Sequence, residues 1–180
     1  MKFYQIWQGR VQDSEDFFPV HVPGNIQADY AEHMGFGDIN YGLNFQKFHG
    51  TECFTWEYSC RLLFEADSSE SVFFVSEGID YIYDIALNGN VIFSGEGMFS
   101  DIELPLADAK SGDILTVIIH PHPKREGAIP DDRQEADSCC KPPVSYGWDW
   151  HPRVIPSGLW NNAYIETRSS ATIVSCEPFY

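Results

Sequence analysis

Positive charge is the scarcest thing in this chain. Eleven Lys and Arg stand against 27 Asp and Glu, a formal net charge of −16. Nucleic acid and anionic membranes both bind basic faces, so neither is expected as a partner. Long apolar runs are missing as well: no stretch nears the ~20 residues of a bilayer-spanning helix. The opening segment MKFYQIWQGRVQDSEDFF has no apolar core of the kind a secretory signal carries. The five cysteines, Cys53, Cys60, Cys139, Cys140 and Cys176, are odd in number and show no C-x-x-C spacing. That predicts free thiols and a reducing, cytoplasmic setting. No G-x-S-x-G or H-E-x-x-H occurs, so neither a hydrolase elbow nor a zinc-protease helix is encoded.

Aromatics, by contrast, are plentiful. Phe, Tyr and Trp make up 15% of the 180 residues and apolar residues 43%, enough for one domain with a full core. Phe54, Trp56, Tyr58, Cys60, Leu62 and Phe64 alternate with Thr55, Glu57, Ser59 and Arg61, the period of a half-buried strand. Further strands are predicted over 72–77, 81–87, 91–93, 99–104, 114–120, 163–167 and 172–175. Asn88-Gly89 supplies a hairpin turn. One short helix is expected, capped by Asn25, presenting Ile26, Tyr30 and Met34 on one face and ending at Gly35. Many short antiparallel strands with little helix predict an all-β sandwich. Residues 121–145, rich in Pro, Ser and charge, read as a long mobile loop.

Within these elements several residues invite a chemical role. His120-Pro121-His122, with His151 or Cys139, is weighed as a metal site and set aside, because the spacing fits no standard pattern. Cys139-Cys140 is read as two unrelated thiols. Asp80 and Asp84 flank a tyrosine pair and are expected to bond to loops or arginines. Trp56 and Trp160 are expected in the core. No cofactor and no metal is predicted.

The segment YGWDWHPRVIPSGLW, Tyr146 to Trp160, is where function is expected. Asp is reluctant to be buried unpaired, so packing alone does not explain Trp148-Asp149-Trp150. Indole rings can stack on the apolar face of a sugar while a carboxylate accepts its edge hydroxyls. Asp149, Trp148 and Trp150 are therefore the candidate substrate-binding residues. The two indoles serve equally as packing for a partner domain. The structural alternative for Asp149 is a pair with Arg153 or bonds to backbone N–H groups.

The order of landmarks resembles the N-terminal domain of glycoside hydrolase family two, its β-mannosidase branch in particular. Val22-Pro23-Gly24-Asn25, Tyr41-Gly42, Asn44 and Trp56-Glu57-Tyr58 match first. Glu77-Gly78-Ile79-Asp80, Leu87-Asn88-Gly89, Met98-Phe99, Gly147-Trp148-Asp149-Trp150 and Gly158-Leu159-Trp160 follow. The sequence departs from the pattern at His151, where Gly is usual, and at Asn161, where Arg is usual. The basic pair ahead of the block is reduced to Lys141. The resemblance implies a jelly-roll, galactose-binding-domain-like sandwich, a single N-terminal domain over 1–180 belonging to a larger multidomain glycosidase. It implies immunoglobulin-like and TIM-barrel domains further along the same parent chain, and a terminal β-linked sugar bound with the help of Asp149. Parents with β-galactosidase, β-glucuronidase or exo-β-glucosaminidase activity, and a freestanding carbohydrate-binding module, are the alternatives. The family's acid/base carboxylate follows an Asn, and no Asn-Glu pair occurs here, so no catalytic residue is expected in this chain.

If the thiols are free, adding reductant should leave the melting temperature unchanged. A fall of more than about 10 °C would reveal a structural disulfide, whose loss costs ~2–5 kcal/mol at ~2–4 °C per kcal/mol.

Overall fold

The computed structural model describes residues 1–171, 173 and 176–179. Two antiparallel sheets face each other across one aromatic core, the expected all-β sandwich. The strands are β1 Lys2–Tyr4, β2 Trp7–Val11, β3 Phe18–Val20, β4 Trp56–Arg61, β5 Ser71–Ser76, β6 Ile82–Leu87, β7 Asn90–Glu96, β8 Ile102–Pro105, β9 Ile114–Ile119 and β10 Ala163–Arg168. One sheet runs β1-β10-β5-β8 and the other β3-β2-β4-β9-β6-β7.

The alternation on β4 does what its period requires. Trp56, Tyr58, Cys60 and Leu62 all enter the core, facing Phe74 of β5 and Ile165 of β10. On its other face Glu57 is buried too, and Arg10, its register partner on β2, supplies the counter-charge at 2.5 Å. The Asn88-Gly89 turn takes φ +50° and +81°, joining β6 to β7. At the open edge of the larger sheet, β7 exposes Val91, Ile92 and Phe93. A register shift opposite Ile85–Ala86 leaves Ile92 unpaired, and such a bulge discourages further strands from joining.

Helix α1 spans Ile26–His33, and the Asn25 side chain accepts from the Ala28 N–H at 2.9 Å, as a cap should. Ile26 is buried, but Met34 is about half exposed. The inward face is completed instead by Gln27, Asp29 and Ala31. Gln27 is buried because its amide is satisfied at both ends, donating to the Ile155 carbonyl at 3.1 Å and accepting from the Ser157 N–H at 2.9 Å. Asp29 accepts from the backbone N–H of His21 at 2.9 Å.

Three strands near the N-terminus, β1 to β3, were not foreseen. The strand expected over 172–175 lies, except for Ile173, outside the described residues, and Ile173 is exposed and not in a strand. Trp160 is a second departure. It is over one-third exposed, lies across Gly78, and donates its indole N–H to the Met98 carbonyl at 2.6 Å.

Asp80 joins the sandwich to the long excursion between β9 and β10. Its backbone N–H and C=O pair with Gly158 in both directions, at 2.9 and 3.1 Å. Its carboxylate receives Lys141 Nζ on both oxygens at 2.5 Å, and Lys141 also donates to the Pro156 carbonyl at 2.8 Å. Lys141 is 2% exposed and Asp80 3%. Burial pushes the Asp80 carboxyl above the usual carboxylate range, with Lys141 pulling against it. Gly158 cannot be replaced easily: a Cβ there would lie 2.5 Å from Tyr58 Oη, at φ +151°.

Replacing Lys141 by Met keeps the stem and removes the charge. The stability loss should be about 3–5 kcal/mol at pH 8, because a buried carboxylate is left uncompensated. Its folded pKa then lies further above its unfolded one, so the carboxyl is best tolerated protonated and the loss should shrink towards pH 5. Urea unfolding at the two pH values checks this. A loss under about 1 kcal/mol, or one independent of pH, would contradict the assigned role of the pair.

Candidate functional site

The excursion is not the loose loop its composition predicted. It contains two 3-10 turns, Arg133–Ser138 and Pro143–Tyr146, around a second small core of Ala136, Tyr146 and Ile155. Tyr146 donates from its hydroxyl to the Pro123 carbonyl at 3.0 Å and meets the His122 ring edge-on at 5.2 Å. The segment is therefore fastened at intervals by buried side chains.

Arg153 is the central fastening. Its Nε lies 2.9 Å from Glu52 Oε1 and its Nη2 2.7 Å from Glu135 Oε2. Nη1 donates to the Tyr146 carbonyl at 3.3 Å, and the guanidinium lies over the Tyr146 ring. Both carboxylates are nearly enclosed. Burial alone would raise their pKa values, but Arg153 and nearby backbone N–H groups outweigh it and hold both below the usual range. Arg153 was expected, on the structural alternative, to pair with Asp149. Two buried carboxylates compete better for it than one exposed carboxylate can, and they occupy it.

On this base stands a tight turn. Trp148 and His151 exchange two backbone hydrogen bonds, at 3.0 and 3.1 Å, which puts Asp149 and Trp150 at the corner. Gly147, at φ +110°, lets the chain swing into it. The indoles of Trp148 and Trp150 touch each other, with ring centroids 5.4 Å apart and planes tilted by 51°. Asp149 is thus beside an aromatic pair, not held between two faces. Arg133 covers the Trp148 ring at 4.1 Å, a cation–π contact that sequence reading had not found. Trp150 is 73% exposed, and Asp149 is exposed as well. Among the described residues, nothing donates a hydrogen bond to the Asp149 carboxylate and no cation pairs with it.

A groove of about 850 Å³ opens beside the turn. Trp150, His151 and Pro152 form one wall, and Ala28, Ala31 and Phe48 face them. Its size suits a small ligand. The turn thus contributes Trp150 to the groove, while Asp149 and Trp148 stand outside its lining.

The other weighed residues go elsewhere. His120 pairs with Asp84 at 2.8 Å, Asp84 also accepts from Ser94, and His122 turns inward to the Glu52 carbonyl. Cys139 faces Tyr146, whereas Cys140 faces Tyr81. All five cysteines are free thiols.

Comparison with known proteins fits this architecture. The sequence is 25% identical to β-mannosidase A of Aspergillus niger over 167 residues, covering 82% of this chain and 18% of that protein. It is 24% identical to the β-mannosidase of Capra hircus over 168 residues, covering 82% and 19%. Among solved structures, the β-D-mannosidase of Dictyoglomus thermophilum superposes with a TM-score of 0.72 at 23% identity, over 94% of this chain and 22% of that one. An exo-chitosanase of Amycolatopsis orientalis does so with a TM-score of 0.68 at 15% identity, over 94% and 21%. The chain spans about a fifth of the length of these relatives. The sequence profile described as the glycosyl hydrolase 2 galactose-binding domain-like family matches residues 7–161, and on that match the chain belongs to this family.

Proposed function

We propose that this chain is the non-catalytic N-terminal domain of a β-mannosidase-like glycoside hydrolase. The turn at Trp148–His151 lends Asp149, with the Trp148 and Trp150 rings beside it, to the binding of a terminal β-linked sugar. The domain packs on a catalytic barrel of the same parent chain, and the parent works in a reducing cytoplasm. The observation that carries this reading is the state of Asp149. It is an unpaired, exposed carboxylate at the apex of a turn whose base is rigidly fastened. Nearby cations, Arg133, Lys141 and Arg153, are all engaged with other partners. Such a carboxylate can accept two hydroxyl hydrogens with no internal bond to break first. Exposed indoles beside it suit the C–H face of a pyranose or an apolar partner surface equally.

In the full-length enzyme, Asp149→Ala should lower kcat/KM for aryl β-mannosides roughly ten- to a hundredfold. That corresponds to the ~1.5–3 kcal/mol of a charge-assisted hydrogen bond made mainly in the transition state. The melting temperature should not change, because Asp149 has no internal partner to lose. Normal kcat/KM in a well-folded variant would remove Asp149 from the sugar site. If instead the isolated 180-residue chain binds methyl mannoside tightly on its own, a freestanding binding module becomes the better reading.

A further inference from the structure

Beneath the turn lies a polar atom that the fold leaves without a partner. The His122 side chain is fully enclosed. Its Nδ1 sits 2.9 Å from the Glu52 carbonyl, an oxygen that only accepts, so Nδ1 carries the hydrogen of the neutral ring. Nε2 then presents a lone pair, and among the described residues nothing donates to it. Glu135 Oε2, another acceptor, lies 4.0 Å away. Two acceptors facing each other in a poorly solvated space form a place for a proton.

The groups around His122 come from every neighbouring segment. Glu52 faces it from the 3-10 turn Thr51–Cys53, Glu135 from Arg133–Ser138, and Tyr146 from Pro143–Tyr146. Arg153 adds a positive charge from the far leg of the excursion, and Asp131 approaches Arg153 at 3.8 Å from the exposed side. On its own segment, Lys124 lies 3.7 Å from Glu135 Oε1, and His120 is engaged with Asp84. The enclosed set of Glu52, Glu135 and Arg153 sums to one negative charge. Burial holds the His122 imidazole below the usual histidine range. The Glu52 carbonyl opposes that shift, while Lys124 and Arg153 reinforce it. The folded protein thus binds this proton less tightly than the unfolded chain does. Stability therefore falls as pH drops from about 6.5 through the folded value.

The consequence is geometric. A proton on Nε2 would place a positive charge 4.0 Å from Glu135 Oε2, the oxygen that Arg153 Nη2 holds at 2.7 Å. Arg153 in turn holds the Tyr146 carbonyl, two residues before Trp148. The geometry points to His122 as a proton-operated latch for the Trp148–Asp149–Trp150 turn: the neutral ring leaves Glu135 to Arg153 and the turn is held, whereas the imidazolium draws Glu135 away and releases it. The effect on sugar binding rests on the function proposed above; the latch itself does not.

The test uses the 180-residue chain without sugar. Nuclear magnetic resonance follows the His122 ring and the indole N–H signals of Trp148 and Trp150 from pH 8 to pH 4.5. His122 should titrate below about 6.5, and the indole signals should move with the same midpoint. The Trp148 and His151 amides, corrected for intrinsic exchange, should exchange at least about tenfold faster on the acid side. His122→Phe keeps a ring against Tyr146 and cannot take the proton, so the indole response should vanish. A His122 titration unaccompanied by the indoles, or an indole response that survives in His122→Phe, overturns the latch. Should the variant fail to fold, the wild-type titration alone decides: separate midpoints overturn the latch and a shared midpoint supports it. Asp149→Ala should leave this titration intact, so a failed sugar reading and a failed latch are told apart.

Discussion

The buried pair of Lys141 and Asp80 is the constraint on which the site depends. A sandwich has no intrinsic reason to hold the excursion between β9 and β10, residues 120–162, in one place. Asp80 gives it one, because a single residue fastens that excursion at two points. Its carboxylate takes Lys141 at the middle, and its backbone takes Gly158 near the end. Lys141 closes the loop by reaching the Pro156 carbonyl. Two enclosed charges are costly to desolvate, so such a pair contributes less to net stability than to geometry: removing either partner is far worse than having neither. The need to satisfy both charges restricts where the intervening chain can run.

The same economy of charge explains the turn. The chain holds eleven Lys and Arg, and five of them, Lys124, Arg125, Arg133, Lys141 and Arg153, are engaged within this excursion or across its base. Arg153 neutralises carboxylates that arrive from Glu52 and Glu135, 101 and 18 residues away. Arg133 lies on an indole instead of a carboxylate. What remains at the apex is Asp149 with no cation of its own. In so acidic a protein an uncompensated surface carboxylate is ordinary, and acidity alone says nothing of function. The placement is less ordinary. A side chain on a turn of two residues, braced from below by a buried guanidinium, loses little entropy when it meets a ligand.

Much of the sandwich was legible in the sequence because it obeys local rules. The period on β4, the Asn88-Gly89 turn and the Asn25 cap are each decided by residues adjacent to one another. β1 to β3 were not legible. They are three to five residues long, β2 contains Gly9 and β3 contains Pro19, so neither length nor composition marks them as strands. Met34 continues the helical period of Ile26 and Tyr30, yet it lies past the last turn of α1, where the chain has left the core. The excursion was misread for a physical reason. Proline and charge signal a solvated loop when charges are alone, and these charges are paired across 61 and 101 residues. Sequence composition registers the charges and not their partners.

The shape of the Trp148–Asp149–Trp150 block was not legible in the sequence. A reading by residue type puts the carboxylate between two aromatic faces. The chain instead turns at Asp149 and Trp150, which brings the two indoles together and leaves the carboxylate beside them. A platform of touching rings with an acceptor at its edge binds from one side only. A slot between parallel rings would enclose its ligand within this domain. A one-sided platform would need a second surface to enclose any ligand and exclude water from it. On the function proposed above, the geometry of this turn suits a contributor to a shared site.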